Sequence, residues 1–438
     1  MARAESRRLH LASVAPGLSE LVRVSNRRRR IVITGLGVVA ANGAGKDDFG
    51  AALIAGRSGI RENLTARDSK VPCTVAARVT NFDLARHVRG LRRQTARAMS
   101  RVSQFALACA QMALDDAGME LGTRDPRRTG VCYGATTGKP DFDCDAARFT
   151  ERGVAGLESN AWAEFSPHAA VSHIAAELGF SGTVATSSAG CCTGLMVMDW
   201  AAERIATGSL DTALVGSGDS LLSPLILAAF DAGHLLTRQS NPAVASRPYD
   251  LQRDGLVPGE GAGAMVLESL DSALERRARI YAEYLAYGAA VDNGRPGQRG
   301  EGAARAIERA LDNARLKPQQ IDCINAHGLS HPLFDLLETS GFKAALGRAA
   351  YSVPITSIKS MIGASFAADG MLQAISSCLT LETGIIPPIL NLETPDPGCD
   401  LDYVTKPRRV RANRILTNTR AIGGTNSVVI LGRLDHGP

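Results

Sequence analysis

Residues 185–208 have the sequence ATSSAGCCTGLMVMDWAAERIATG, a turn of small residues that carries two adjacent cysteines and leads directly into an apolar helix. Residues 356–384, TSIKSMIGASFAADGMLQAISSCLTLETG, share this layout of a small polar turn followed by an apolar helix. Both helices are apolar on more than one face, which predicts that they are buried. The repeated layout indicates a chain built from two comparable halves.

The segments around these two turns alternate between strand and helix patterns. The β-branched run that starts at Ile31 and is interrupted by glycines predicts a buried strand. Helical periodicity from Ala96 to Ala117 predicts a helix closed by Gly118. Further strands are predicted at residues 130–133, 213–215, 264–267, 323–326 and 428–431. This alternation over 438 residues predicts an α/β architecture.

Composition and charge exclude several classes of protein. Hydrophobic residues make up 45% and charged residues 21% of the chain, a balance typical of a globular enzyme. No stretch of the sequence is long and apolar enough to predict a membrane span. Residues 1–30 contain eight arginines and two glutamates, whereas the rest contains 41 basic and 42 acidic residues. We therefore expect residues 1–28 to form a basic, flexible extension that is neither a secretory nor a transit leader, and a neutral body that does not bind nucleic acid.

The nine cysteines are too sparse for a disulfide framework. Cys109 and Cys378 lie within apolar segments and are predicted to be small buried hydrophobic residues. Unpaired thiols are typical of a reducing compartment, so we expect the protein to be cytoplasmic.

The adjacent cysteines Cys191 and Cys192 are the first candidates for chemistry. A thiol at a helix N-terminus is near the positive end of the helix dipole, which predicts a lowered pKa and an available thiolate. Backbone N–H groups of the same turn can stabilise an oxyanion. The pattern Gly190-x-Cys192-x-Gly194 also matches the nucleophile elbow of hydrolases, which would make Cys192 the nucleophile. A further alternative is that Cys191 and Cys192 are small buried residues with only a structural role.

Two further candidates lie in the second half. His327 follows a mostly apolar predicted strand and precedes a glycine, and Lys359 lies among apolar residues, where a cation needs a partner or a function. A structural histidine and a lysine that extends to solvent are the alternatives. Cys323, His327 and His331 are spaced by four residues, which brings metal ligands together only on a helix. Because this segment is predicted to be strand and turn, we predict no metal site.

Together these motifs resemble the β-ketoacyl-acyl-carrier-protein synthases of the elongating type and the ketosynthases of type II polyketide pathways. The resemblance extends from about Arg29 to Leu431 and includes the motifs that begin at Arg30, Leu53, Ser246, Arg253, Gly259, Asn325, Lys359 and Gly423. It implies a thiolase-like fold with two pseudo-symmetric αβαβα halves that form a five-layered core. The expected halves are residues 29–270, which carry the cysteine, and residues 271–438, which carry the histidine and lysine.

The resemblance also assigns roles to residues. The nucleophile falls on Cys191, which makes Cys192 a neighbour. The remaining positions are the catalytic His327 and Lys359, the supporting acids Asp335 and Glu338, and the oxyanion and gating loop with Arg420, Ile422 and Gly423. In this loop the N–H of Ile422 is expected to form the oxyanion hole with that of Cys191.

This sequence departs from the family pattern at three places. Ala364 occupies the position of a second histidine. Arg420-Ala-Ile-Gly-Gly424 replaces the Phe-Gly-Phe-Gly-Gly loop, and His327-Gly-Leu-Ser-His331 replaces His-Gly-Thr-x-Thr. The altered active site favours specialised metabolism over housekeeping lipid synthesis.

The function implied by the resemblance is acyl transfer. The enzyme is expected to load an acyl group from acyl carrier protein onto Cys191 and to condense it with a malonyl-carrier-protein extender in a fatty-acid- or polyketide-like pathway. It is expected to need no cofactor and to form a homodimer, or a heterodimer with a ketosynthase-like subunit. One alternative is acyl transfer to an alcohol or amine without decarboxylation. Another is a non-catalytic partner like a chain-length factor, which the altered loop favours and the retained Cys191, His327 and Lys359 oppose.

Overall fold

The computed structural model describes residues 28–63, 71–158, 161–292 and 300–434. Its helices are α1 (Lys46–Ile54), α2 (Arg93–Ala98), α3 (Arg101–Ala117), α4 (Phe142–Arg152), α5 (Ala161–Glu164), α6 (Ala169–Leu178), α7 (Thr193–Ala206), α8 (Pro224–Ala232), α9 (Leu270–Glu275), α10 (Glu301–Ala314), α11 (Pro332–Leu346), α12 (Lys359–Ile362) and α13 (Asp369–Thr383). Its strands are β1 (Ile31–Ala40), β2 (Gly43–Ala44), β3 (Arg61–Glu62), β4 (Val75–Ala76), β5 (Thr129–Gly134), β6 (Thr183–Ser187), β7 (Thr212–Ser220), β8 (Glu260–Ser269), β9 (Ala282–Val291), β10 (Cys323–Asn325), β11 (Ile355–Thr356), β12 (Ile385–Ile386), β13 (Arg408–Arg409), β14 (Arg414–Arg420) and β15 (Thr425–Gly432).

The main sheet consists of two half-sheets with the same internal order. The first follows β6-β5-β7-β8-β1 and the second follows β11-β10-β14-β15-β9. In both, the first two pairings are parallel and the last two are antiparallel. A short antiparallel contact between β1 and β9 joins them. This correspondence confirms the two pseudo-symmetric halves predicted from the sequence.

Helices α7 and α13 form the layer between the half-sheets, and they belong to the two segments whose sequence layout is shared. They cross so closely that a Cβ on Gly194 would lie 2.2 Å from the backbone nitrogen of Met371. Both helices contribute to one apolar cluster with residues of β1, β7 and β8 and of β14 and β15. The apolar character of α7 and α13 on several faces is therefore explained by burial between two sheets.

Two outer helical layers complete the core. Helices α3 and α6 pack on the first half-sheet, and α10 and α11 pack on the second. The order helix, sheet, helix, sheet, helix confirms the predicted five layers. The catalytic candidates lie where the central helices begin.

Most predicted elements are present. The predicted helix from Ala96 to Ala117 is wrong as a single element, because the chain breaks at Met99 and Ser100 and the Ser100 hydroxyl caps α3 by accepting from the N–H of Ser103. The thiols of Cys109 and Cys378 are fully buried, as predicted. Apart from Arg28, the predicted extension lies outside the described residues. Among the residues described, no helix has the length and apolar character needed to cross a bilayer.

Candidate active site

Cys191 lies in a tight turn between β6 and α7. Gly190 adopts a left-handed backbone with φ of +56°, which a residue with a side chain rarely adopts. The Thr193 hydroxyl accepts from the N–H of Ala189 at 2.8 Å and donates to the carbonyl of Gly190 at 2.7 Å. These contacts explain the small residues of the turn and fix the thiol just before the helix.

The two adjacent thiols face different surroundings. Cys192 is the N-cap residue of α7, and its Sγ lies 3.5 Å from the carbonyl oxygen of Thr419 and 3.3 Å from that of Thr425. Cys191 instead clusters with His327 and Asp369. The structure therefore gives Cys192 a packing position and brings Cys191 to the other candidate groups.

His327 follows β10, and the two acids named with it hold its backbone. The Glu338 carboxylate accepts from the N–H of His327 at 2.7 Å and from that of Gly328 at 2.9 Å. The Asp335 carboxylate accepts from the N–H of Leu329 at 3.0 Å. Burial raises the pKa of the Asp335 carboxyl to about 7. Both acids thus contact the backbone of the histidine loop and not the imidazole.

Lys359 is the first residue of α12 and is buried, as are its partners. Its Nζ donates to Oε1 of Gln373 at 3.0 Å and lies 3.5 Å from Oδ1 of Asp369. Gln373 also donates to the carbonyls of Asn325, Ala326 and Asn418, which connects α13 to β10 and β14. Asp369 and Gln373 were not among the site residues predicted from the sequence. The sequence signal that could have found them was their spacing of one helical turn at the start of α13.

Burial dominates the electrostatics of this site. Desolvation raises the pKa of the Cys191 thiol well above its ordinary value, and the negative charge of Asp369 raises it further. The prediction of a lowered thiol pKa is therefore wrong for the resting site, in which burial and the charge of Asp369 raise it. Desolvation and the neighbouring charge of Lys359 lower the pKa of His327 well below its usual range, so its imidazole is neutral.

An apolar wall adjoins the thiol. Cys191 forms a small cluster with Leu221 and Phe366, and Ile226 and Phe230 pack against it. The rings of Phe230 and Phe366 stack with their centroids 4.7 Å apart. Phe366 has a φ of +51°, a conformation that is strained for an aromatic residue and often occurs at functional sites. This wall suits an apolar acyl chain, and no sequence motif marked it.

Ala364 and His331 occupy separate positions. Ala364 belongs to an apolar cluster with Leu222 and Leu329, and its methyl group offers no hydrogen bond. His331 is half-buried, caps α11 through its Nδ1, which accepts from the N–H of Leu333 at 3.2 Å, and stacks on Phe334. His331 is therefore engaged at the helix terminus, outside the group formed by Cys191, His327 and Asp369.

The loop after β14 lies beside the nucleophile turn. A Cβ on Gly190 would lie 3.2 Å from the Cβ of Ala421, and no atom lies within 4 Å of a Cβ placed on Gly423. The Ile422 side chain is 41% exposed. Within the described ranges, the N–H groups of Cys191 and Ile422 make no hydrogen bond, which leaves both available to an oxyanion.

Arg420 is held by an ion pair within the same chain. Its Nη2 lies 3.0 Å from Oδ2 of Asp292, and its guanidinium stacks over the ring of Phe334. Its buried Nη1 has no hydrogen-bond partner among the described residues. The charge of Arg420 also contributes to the lowered pKa of His327, which places this arginine near the site.

Cys323, His327 and His331, which are spaced by four residues, do not form a cluster of ligand atoms among the described residues. Cys323 is buried in the central core, and His331 caps a helix. The ligand atoms of Cys191, His327 and Asp369 do lie within 4.8 Å of one another. The ammonium of Lys359 is next to Asp369 and already balances its charge, which opposes a second cation there.

Comparison with known proteins identifies the family of the chain. Residues 28–273 match the model of the beta-ketoacyl synthase N-terminal domain, and residues 278–393 match that of the C-terminal domain. The chain belongs to the beta-ketoacyl synthase family. Its five-layered core is accordingly of the thiolase-like type.

Individual relatives cover nearly the whole chain. The ketoacyl synthase alpha subunit of the tetracenomycin polyketide synthase from Streptomyces glaucescens is 38% identical over 92% of this chain and 97% of its own. The structure of the ishigamide ketosynthase/chain length factor has a TM-score of 0.85, is 33% identical, and is matched over 93% of this chain and 99% of its own. A ketosynthase in complex with its type II acyl-carrier protein and bound to a hexaketide has a TM-score of 0.84, is 30% identical, and is matched over 93% of this chain and 100% of its own.

Proposed function

We propose that this protein is a ketosynthase that takes an acyl group from an acyl-carrier-protein thioester onto Cys191 and joins it to a malonyl-carrier-protein extender in a polyketide- or fatty-acid-like pathway. One observation carries the proposal: Cys191, His327 and Lys359, which come from three separate segments, meet in one buried site at the start of the central helices. The buried thiol can take part in thioester exchange, and the neutral imidazole and the fixed cation can stabilise a developing enolate.

The assembled site opposes a purely non-catalytic role. A subunit that only shapes a pocket does not need a buried lysine next to a carboxylate and a thiol, because burying these charges is costly. The apolar wall of Leu221, Phe230 and Phe366 supports an acyl chain as the bound group. We therefore assign Cys191 as the nucleophile and the turn at Ile422 as the oxyanion partner.

Ala364 favours a second candidate function. With a methyl group in place of a second imidazole, the site has fewer donors for the charge that develops when a malonyl thioester loses carbon dioxide. An alcohol or amine acceptor does not require this step. Transfer of the acyl group from Cys191 to such an acceptor, giving an ester or an amide, is the alternative.

The proposed partners follow from the relatives. Acyl carrier protein is the proposed donor, since one similar ketosynthase was solved in complex with its carrier. A ketosynthase-like subunit is the proposed dimer partner, since another similar structure pairs a ketosynthase with a chain length factor. We propose the cytoplasm as its location, because all nine cysteines carry free thiols.

Mass spectrometry of the purified protein tests this function. After incubation with hexanoyl-acyl carrier protein, the protein should gain one hexanoyl group, and peptide mapping should place it on Cys191. Addition of malonyl-carrier protein should then release a β-ketoacyl-carrier product. No loading with any partner subunit present would contradict the proposal, and loading followed only by ester or amide formation would favour the second candidate.

A further inference from the structure

The Asp369 carboxylate is fully buried next to the Cys191 thiol, and the proposed function gives it no role so far. One oxygen, Oδ1, accepts from the N–H of Ser365 at 2.8 Å and lies 3.5 Å from Lys359. The other oxygen, Oδ2, is buried and makes no hydrogen bond of ordinary length within the described part of the chain. The carboxylate lies within 4.8 Å of both the Cys191 sulfur and an imidazole nitrogen of His327.

The charges of the site make Asp369 a less costly acceptor of the Cys191 proton than solvent. The salt bridge between Lys359 and Asp369 gives the resting site one cation and one anion. Moving a proton from the thiol to Asp369 shifts the negative charge to sulfur and leaves the net charge unchanged. Loss of the same proton to solvent would leave two buried anions beside one cation, which is costly in a medium of low polarity.

His327 is less suited to take this proton. Protonating it would place a second buried cation near Lys359, and these two effects, burial and that charge, already lower the pKa of His327 well below its usual range. Burial conversely raises the pKa of Asp369, which makes this carboxylate a stronger proton acceptor than an exposed aspartate. His327 is thereby left neutral for the second substrate.

We infer that Asp369 is a catalytic residue that accepts the proton of the Cys191 thiol and returns it to the departing carrier thiol; this rests on the proposed acyl loading. The S–H bond of Cys191 breaks as its proton passes to the carboxylate, and the sulfur attacks the thioester carbonyl carbon. When the tetrahedral intermediate collapses, the bond from carbon to the carrier sulfur breaks. That sulfur takes the proton from Asp369, which leaves acyl-Cys191, a free carrier thiol and a regenerated carboxylate.

Alkylation of Cys191 by iodoacetamide tests the pair without a carrier protein. If Asp369 were only a neighbouring negative charge, Asp369→Asn would make Cys191 more reactive, because that charge raises the pKa of the thiol. If Asp369 is the proton acceptor, alkylation of Asp369→Asn should be slower, by roughly tenfold or more. The two roles thus predict opposite signs, and faster or unchanged alkylation would overturn the inference.

Loading from hexanoyl-acyl carrier protein supplies the second measurement. We expect Asp369→Asn to load roughly 10²-fold more slowly than wild type, and formate to restore part of the rate in Asp369→Ala. Asp199→Asn is the matched control, since Asp199 lies on α7 and binds the Tyr284 hydroxyl at 2.9 Å. It should load normally.

The outcomes separate the two proposals. If the wild type never loads, the proposed function is contradicted. If alkylation of Asp369→Asn is nevertheless slow, the pairing of Asp369 with Cys191 is still supported. Normal loading of Asp369→Asn would overturn the role of Asp369 alone. If neither Asp369 variant folds, the pH profile of wild-type alkylation decides: a rate that keeps rising with pH to about pH 9 would show loss of the thiol proton to solvent and overturn the inference, whereas a rate that levels off at lower pH supports it.

Discussion

Replacing Ala364 with histidine tests whether the two half-reactions, acylation of Cys191 and decarboxylation of the malonyl extender, depend on different groups of the altered site. In wild type, acyl transfer to Cys191 should be fast and malonyl decarboxylation slow, because one donor to the developing enolate is missing. Restoring such a donor should raise decarboxylation by roughly 10²–10³-fold, the factor lost when a single oxyanion donor is removed. Acylation should change little, since it depends on the thiol, on Asp369 and on the N–H groups of the turn.

The structure also sets the cost of this substitution. Ala364 is 2% exposed and is part of an apolar cluster with Val257. Its N–H donates to the carbonyl of Val257 and its carbonyl accepts from Gly259, both at 2.8 Å, so the backbone is held at this point. The added ring must be accommodated by side-chain shifts, and we expect a loss of about 1–3 kcal/mol in the free energy of unfolding.

The assay follows both half-reactions in the isolated protein. Carbon dioxide release from malonyl-carrier protein measures decarboxylation, and intact mass after rapid quenching measures acylation. Ala364→Leu is the matched control, because it adds similar bulk without a donor and should lower stability without raising decarboxylation. Wild-type decarboxylation as fast as acylation, with no gain in Ala364→His, would refute the reasoning and show that another group provides the missing donor.

Three further predictions concern the nucleophile, the gating loop and the buried acid Asp219. Cys191→Ala should abolish acyl labelling, whereas Cys192→Ala should retain it and lose only about 1 kcal/mol of stability; peptide mapping that finds label on Cys192 would contradict this. Arg420→Phe should shift loading from polar or polyenoic chains toward saturated ones, because it removes a buried, unpartnered Nη1 donor, and equal loading of matched chains by both proteins would argue against a selective role. Burial raises the pKa of Asp219 to about 7, so its contribution to stability is fully present below about pH 4 and is lost as the pH rises through about 7. Asp219→Asn should therefore flatten the pH dependence of the free energy of unfolding between about pH 4 and pH 8, by up to about 4 kcal/mol, and an unchanged profile in chemical denaturation would disprove it.

The sequence alone predicted the features that depend on local patterns. The small-residue turn before an apolar helix singled out the pair Cys191 and Cys192, and its recurrence in residues 356–384 indicated the two halves. The choice of Cys191 over Cys192 came from the family resemblance. Such patterns survive in the linear chain because helix periodicity, turn chemistry and burial on several faces are properties of neighbouring residues. The order of the family motifs then supplied His327 and Lys359, which no local pattern distinguished from structural residues.

Only the tertiary structure decided which charges surround the thiol. Asp369 and Lys359 reach Cys191 because α7 and α13 cross between two sheets, a contact that no spacing along the chain encodes. The sign of the pKa shift of Cys191 was predicted wrongly for the same reason: the helix dipole is a local property, whereas desolvation and the charge of Asp369 depend on atoms packed in from distant segments. The pairing of Arg420 with Asp292 likewise depends on the strand order β14-β15-β9, which brings the end of β14 near the end of β9, and could not be read from the loop sequence.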